Sequence, residues 1–99
     1  MYGLIGKMLA TPGNRDTLAA ILLQGIARMP GCLSYIVAQD PTNPDALWVT
    51  EVWAGQAEHL ASLSLPSVRA AIAQARPIIA GFGERFETAP LGGQGLVMP

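Results

Sequence analysis

The hydrophobic pattern of this chain switches between a two-residue period and a period of three to four, and the switches fall at Gly or Pro. A strand sends successive side chains to opposite faces, whereas a helix returns to one face every third or fourth residue, so the period names the element. "YGLIGKMLA", residues 2–10, sets Tyr2, Leu4 and Met8 against Ile5, Lys7 and Leu9 and reads as a strand with both faces mostly covered. "TPGN" at 11–14 breaks it. Asn14 then caps a helix expected to run to about Met29, with Leu18, Leu22, Ile26 and Met29 on one stripe, Asp16 in the first turn and "PG" at 30–31 as the stop.

Three further strands follow from the same rule. "CLSYIVA", 32–38, sets Leu33, Tyr35 and Val37 against Cys32, Ser34 and Ile36, and "ALWVTEVW", 46–53, sets Leu47, Val49, Glu51 and Trp53 against Trp48, Thr50 and Val52. The loop "QDPTNPD" makes these two a hairpin. Gly55 ends the second of them, and "QAEHLASL" and "SVRAAIAQA" give two helix pieces, the latter opened by Pro66, carrying Val68, Ile72 and Ala75 on one face and closed by Pro77. "FGERFET", 82–88, is the last strand, with Phe82, Glu84 and Phe86 expected on one face. Residues 1–90 are thus one domain, and the Gly-rich stretch 91–99 is a tail.

The order β-α-β-β-α-β is the split βαβ, ferredoxin-like arrangement: an α+β fold with a four-stranded antiparallel sheet and helices on one face. A chain of 99 residues buries roughly 60–65% of its unfolded surface, enough for a single core. Its charged fraction of 13% is about half the usual ~25%. With 51% hydrophobic residues and apolar side chains on both faces of the strands, the helix-free face calls for a partner sheet, met most simply by a two-fold homodimer.

Charge and short patterns exclude several classes. Six basic and seven acidic residues, scattered singly to a net charge of −1, offer no cationic stripe for nucleic acid or an anionic membrane. The longest apolar run, "LAAILL", falls far short of the roughly 20 residues a membrane span needs, and "MYGLIGKMLA" has no leader character, so a cytoplasmic protein is expected. Cys32 stands alone and reads as a structural thiol. There is no phosphate loop, no dinucleotide fingerprint, no paired cysteines and no second histidine for a typical zinc site, so neither cofactor nor metal is expected.

The stretch "PGCLSYIVAQDPTNPDALWVTEVWAGQAEHLASLSLPSVRAAIAQARPIIAGF", with "KMLATPGNRDTLAAILL" before it, resembles the antibiotic biosynthesis monooxygenase family over about residues 2–88. Pro-Gly before the second strand, an aromatic within that strand, "EVW" ending the third, and a histidine in the helix after it carry the resemblance. It implies a dimeric α+β barrel and oxygenation of phenols or quinols without flavin, haem or metal. Haem-degrading relatives of similar fold use an asparagine in strand one, which "YGLIGKMLA" lacks.

Direct reaction of a hydroxyaromatic with oxygen requires a dry pocket, a base for the hydroxyl proton, and a donor for the developing oxyanion or peroxide. His59 is the only histidine and the candidate base or donor, matching the helix histidine of the resembled family. At helical spacing it joins Gln56, Leu60 and Leu63 on a face expected to turn toward the sheet, with Leu63 contributing to the substrate pocket. Trp53 is the second candidate catalytic residue, and Trp48, on the opposite strand face, is expected at the dimer contact. Glu51 either lines the pocket or pairs with Arg85 or Arg76; Tyr35 and Arg76 are candidates for holding a substrate hydroxyl or oxyanion. A dimeric module that binds a small apolar ligand without turnover, and a haem-binding relative, are the alternatives to an oxygenase acting on a quinol-like substrate.

Overall fold

The computed structural model describes residues 1–25 and 28–96. The elements run β1 (Tyr2–Ala10), α1 (Arg15–Gly25), β2 (Cys32–Gln39), β3 (Ala46–Trp53), α2 (Gln56–Ser62), α3 (Pro66–Ala75) and β4 (Ile79–Thr88), with a 3₁₀ turn at Arg76–Ile78. All four strands form one antiparallel sheet in the order β2-β3-β1-β4, the ferredoxin-like α+β topology expected from the pattern.

Local chemistry explains most boundaries. The Asn14 carbonyl accepts the first helical bond, from the Leu18 N–H at 2.9 Å, while its side-chain amide donates to Thr11 Oγ1 at 2.7 Å. Ile26 lies outside the described residues, and Met29 is not helical, because Arg28 before it has φ 59. Pro66 occupies the first turn of α3, where a missing N–H costs nothing. Gly31, at φ 80, turns the chain into β2 and packs so closely on Glu58 that a Cβ there would lie 2.7 Å from the Glu58 Cβ.

Register decides the faces. In the β1–β3 pair, Leu4 faces Glu51 and Met8 faces Leu47, and in the β2–β3 pair Tyr35 also faces Glu51. Leu4, Met8, Tyr35, Val37, Leu47, Val49, Glu51 and Trp53 therefore share the helix-covered side. There Leu18, Leu47, Ala10 and Ala75 form the core cluster, and Trp53, 1% exposed, anchors the other end of β3. Each fully buried large side chain is worth roughly 1.5–3 kcal/mol.

The opposite face carries Ile5, Ile36, Trp48 and Val52, and Ile36 is 56% exposed. Its edge is organised by Asp40, whose carboxylate accepts bonds from the Thr42 N–H and hydroxyl, both at 2.8 Å, and from Trp48 Nε1 at 3.0 Å, with Lys7 Nζ at 3.6 Å. These donors hold the Asp40 carboxyl well below the usual carboxylate range.

Two expectations about faces fail. β4 begins at Ile79, and its pairing with β1 shifts between Gly6 and Met8, so that Phe82 pairs with Met8 but Phe86 pairs with Ile5. This bulge puts Phe82 on the helix side and Phe86 on the open side, not on one face. In α2, Ser62 is the buried residue, whereas Gln56 and Leu60 point outward, Leu60 at 57% exposure. Packing of Glu58 against Gly31 and Gly55 turns the short helix that way.

Leu18→Ala should cost about 2–5 kcal/mol, because the surrounding core relaxes only partly into the space left. The expected fall in Tm is at least about 8 °C by calorimetry. A shift of under about 3 °C would show that the α1–sheet contact is not the main source of stability.

Candidate active site

Between the sheet and helices α1, α2 and α3 lies a cavity of about 390 Å³ whose wall is mostly aliphatic, with Met8, Leu22, Ile72 and Phe82 among the lining side chains. Tyr35, Glu51, His59 and Ser62 are its polar members. The Ser62 hydroxyl is already engaged, donating to the His59 carbonyl at 2.6 Å. Tyr35, Glu51 and His59 remain as the groups able to act on a bound molecule.

His59 stands between two aromatic rings. Its ring centroid is 5.4 Å from that of Trp53, edge-on at 68°, and 5.8 Å from that of Tyr2. Those contacts aim Nε2 at Glu51, 3.9 Å from Oε1, with both side chains about five-sixths buried (15% and 16% exposed). The same Oε1 accepts the Trp53 indole N–H at 3.0 Å. Residues two apart on a strand face the same way, so β3 itself brings the Trp53 donor over the Glu51 carboxylate.

Tyr35 has no hydrogen-bond partner among the described residues. Burial first, and then the Glu51 charge, push its phenol far above the usual range, so it stays protonated as a neutral donor. Burial also raises the Cys32 thiol, whose Sγ donates weakly to the Ser34 carbonyl at 3.6 Å, which makes it a poor nucleophile.

The fold thus gathers His59, Glu51, Tyr35 and Leu63 around one cavity. Trp53 lies behind it, outside the lining, and touches the site only through Glu51 and His59. Arg76 is exposed on the 3₁₀ turn and does not line either of the two cavities that carry Glu51. Neither arginine pairs with Glu51; Arg85 sits 3.9 Å from Glu87 instead. Sequence reasoning passes over Tyr2, Met8 and Phe82 as site residues, since only the cross-strand register puts them there. It also passes over Gly6, although a glycine inside a strand is itself a signal of a bulge, and the β1–β4 bulge follows directly after it.

A second cavity of about 260 Å³ shares Met8, Tyr35, Glu51 and Phe82 with the first and continues over Gly6 toward β4. Among the described residues, no group of three His, Cys, Asp or Glu side chains is placed to hold a metal ion.

A ferredoxin-like sheet covered on one face by helices is a fold shared with known structures. The antibiotic biosynthesis monooxygenase family model matches residues 1–74, and the chain belongs to that family. A Chloroflexus aurantiacus protein whose structure is described under the same family name is 64% identical, covering 97% of this chain and 98% of that one at a TM-score of 0.94. Similar structures from Deinococcus radiodurans (23% identity, 94% and 95% coverage, TM-score 0.76) and Nitrosomonas europaea (13%, 93% and 100%, TM-score 0.81) share the fold. No curated protein matches the chain.

Both tyrosines have raised phenols, Tyr35 chiefly through burial and Tyr2 chiefly through its hydrogen bond to Glu87. The unfolded chain releases phenol protons near pH ~10 and the folded one holds them, so this stability is complete below that pH and is lost as pH rises above it. Urea unfolding between about pH 9 and 11.5 should show stability falling in the native protein and falling less steeply in Tyr35→Phe. Equal slopes would show that the Tyr35 phenol is not held protonated.

Proposed function

We propose that the protein is a cofactor-independent monooxygenase that oxidises a small hydroxyaromatic or quinol with molecular oxygen, and that it works as a homodimer. The observation that carries this reading is that the Glu51–His59 pair and the neutral Tyr35 phenol line one mostly apolar cavity. Family membership supports the reaction class.

In this scheme the pair takes the substrate's hydroxyl proton, with His59 Nε2 as acceptor and Glu51 stabilising the imidazolium. The electron-rich ring then bonds oxygen at a ring carbon bearing hydrogen. Cleavage of the O–O bond leaves a carbonyl at that carbon, and the second oxygen departs as water with the hydroxyl proton and the ring hydrogen, so a phenol and oxygen yield a quinone and water. Tyr35 donates to the developing oxyanion. The aliphatic wall keeps bulk water from the intermediate. Trp53 is a positioning residue, holding Oε1 of Glu51 with its indole N–H. Leu63 and the aliphatic wall hold the ring.

The helix-free sheet face supports the dimer. Ile36 and Phe86 are 56% and 52% exposed there, at the two ends of a cross-strand row that runs Ile36, Thr50, Ile5, Phe86, a largely apolar surface of the kind subunit interfaces cover. Sedimentation at micromolar concentration should give a dimer, and Ile36→Lys with Phe86→Glu should yield monomers. A soluble, folded wild-type monomer would exclude this assembly.

His59→Ala should lower oxygen uptake with a panel of hydroquinones by roughly 10²-fold, the usual scale of general acid–base help, and Glu51→Gln should lower it comparably. Full activity in His59→Ala at neutral pH would remove the histidine from the mechanism. Binding of the hydroquinones without any oxygen uptake by the wild type would favour a non-catalytic binding module.

A further inference from the structure

We infer that Gly6 determines specificity: by leaving the helix-facing side of β1 bare between Leu4 and Met8, it opens a second lobe of the site that takes an apolar extension of the hydroxyaromatic ligand. The identity of that ligand class rests on the function proposed above; the lobe itself does not.

A glycine inside a strand gives up side-chain packing and adds backbone entropy to the unfolded chain, so it calls for a reason. Conformation supplies none, since the described glycines with positive φ are Gly13, Gly31 and Gly95. Sterics supply none either. A Cβ at Gly3 would collide with the Thr88 hydroxyl, and one at Gly83 would lie 2.9 Å from the Lys7 side chain, but one at Gly6 meets nothing within 4 Å. Close approach explains those two glycines and leaves Gly6 and Gly81, where a Cβ also meets nothing within 4 Å; of these two, Gly6 lines the second cavity.

The space over Gly6 is the cavity of about 260 Å³. Gly6 pairs with Val49 on one side and Arg85 on the other, and the β1–β4 bulge starts immediately after it, carrying Phe82 round to the helix side. Leu4, Val49 and Phe82 give the lobe apolar walls, and Lys7, Glu84 and Arg85 also line it, so an apolar extension is expected to lie along the Leu4, Val49 and Phe82 side. Tyr35 and Glu51 stand where the two cavities meet. A ligand whose hydroxyl lies at Tyr35 and Glu51 can therefore fill the main cavity with its ring and send a fused ring or an alkyl substituent across Gly6. A Cβ at position 6 would enter this open space, and a longer side chain there would extend into the lobe.

Calorimetric titration of the full chain with phenol, 2-naphthol and 4-hexylphenol tests this, using wild type, Gly6→Ala and Gly6→Leu. The wild type should bind at least one of the two extended phenols about ten-fold or more tighter than phenol, the effect of burying two or three methylene-sized groups. Gly6→Leu should abolish that advantage while leaving phenol affinity within about two-fold, and Gly6→Ala should reduce it by an intermediate factor. Loss with 2-naphthol alone would assign the lobe to a fused ring, loss with 4-hexylphenol alone to a chain, and loss with both to either. An advantage undiminished in Gly6→Leu, equal weakening of all three phenols, or no binding of any of them by the wild type overturns the inference. Should Gly6→Leu fail to fold, Gly6→Ala decides, because its Cβ enters open space: an unchanged preference there also overturns the inference. Oxygen uptake separates this result from the proposed function, since the expected binding pattern without turnover removes the oxygenase and keeps the lobe, whereas turnover with an unchanged preference in Gly6→Leu does the reverse.

Discussion

Pairing β1 with β3 so that Leu4 faces Glu51 and Met8 faces Leu47 sets the position of nearly every residue that matters in this protein. β1 is a central strand, joined to β3 on one edge and to β4 on the other. A slip of one residue in a sheet sends each side chain to the opposite face, so the register is held by what it buries. At one end of the helix side Leu47 closes against Leu18, Ala10 and Ala75; at the other Trp53 is sealed to 1% exposure. Between these two anchors lies a stretch of sheet where Gly6 has no side chain and Glu51 has a charged one. The cavity occupies the part of the sheet that the core leaves uncovered.

Two largely buried carboxylates show how differently the fold treats charge. Asp40 accepts bonds from a backbone N–H, a hydroxyl and an indole and has a lysine nearby, so both of its oxygens are engaged and its work is to shape the β2–β3 loop. Glu51 is held through Oε1 alone, by Trp53 and beside His59, and among the described residues no donor reaches Oε2. Among the described residues no buried polar side-chain atom lacks a hydrogen-bond partner, so Oε2 is not sealed off and its free acceptor capacity is open to a bound molecule.

β4 is the least covered strand. It lies at the sheet edge, and its bulge divides its phenylalanines, with Phe82 left 72% exposed at the cavity rim and Phe86 52% exposed on the open face. Bulges bend an edge strand and re-aim its side chains, and here the re-aiming gives both the cavity and the open sheet face an aromatic margin.

Taken alone, the sequence determined the elements and their order. Pro and Gly mark the ends of the segments, and hydrophobic period distinguishes strand from helix within them, so β1, β2, β3, α2 and α3 are legible to within about a residue. It also offered His59, Trp53, Glu51, Tyr35, Arg76 and Leu63 as candidate site residues, His59 by its match to the helix histidine of the resembled family and the others by their chemistry or by the face they share with it. Their grouping was decided by tertiary structure. That Glu51 meets His59 and Trp53 and not an arginine, that Arg76 lines neither cavity that carries Glu51, that Trp53 works from behind the cavity, and that α2 turns Ser62 inward all depend on how separate elements pack. The β4 bulge and the open space at Gly6 arise from pairing between strands distant in the chain, which local periodicity does not encode, since period reports how a segment meets water and apolar surface but not which neighbour provides that surface.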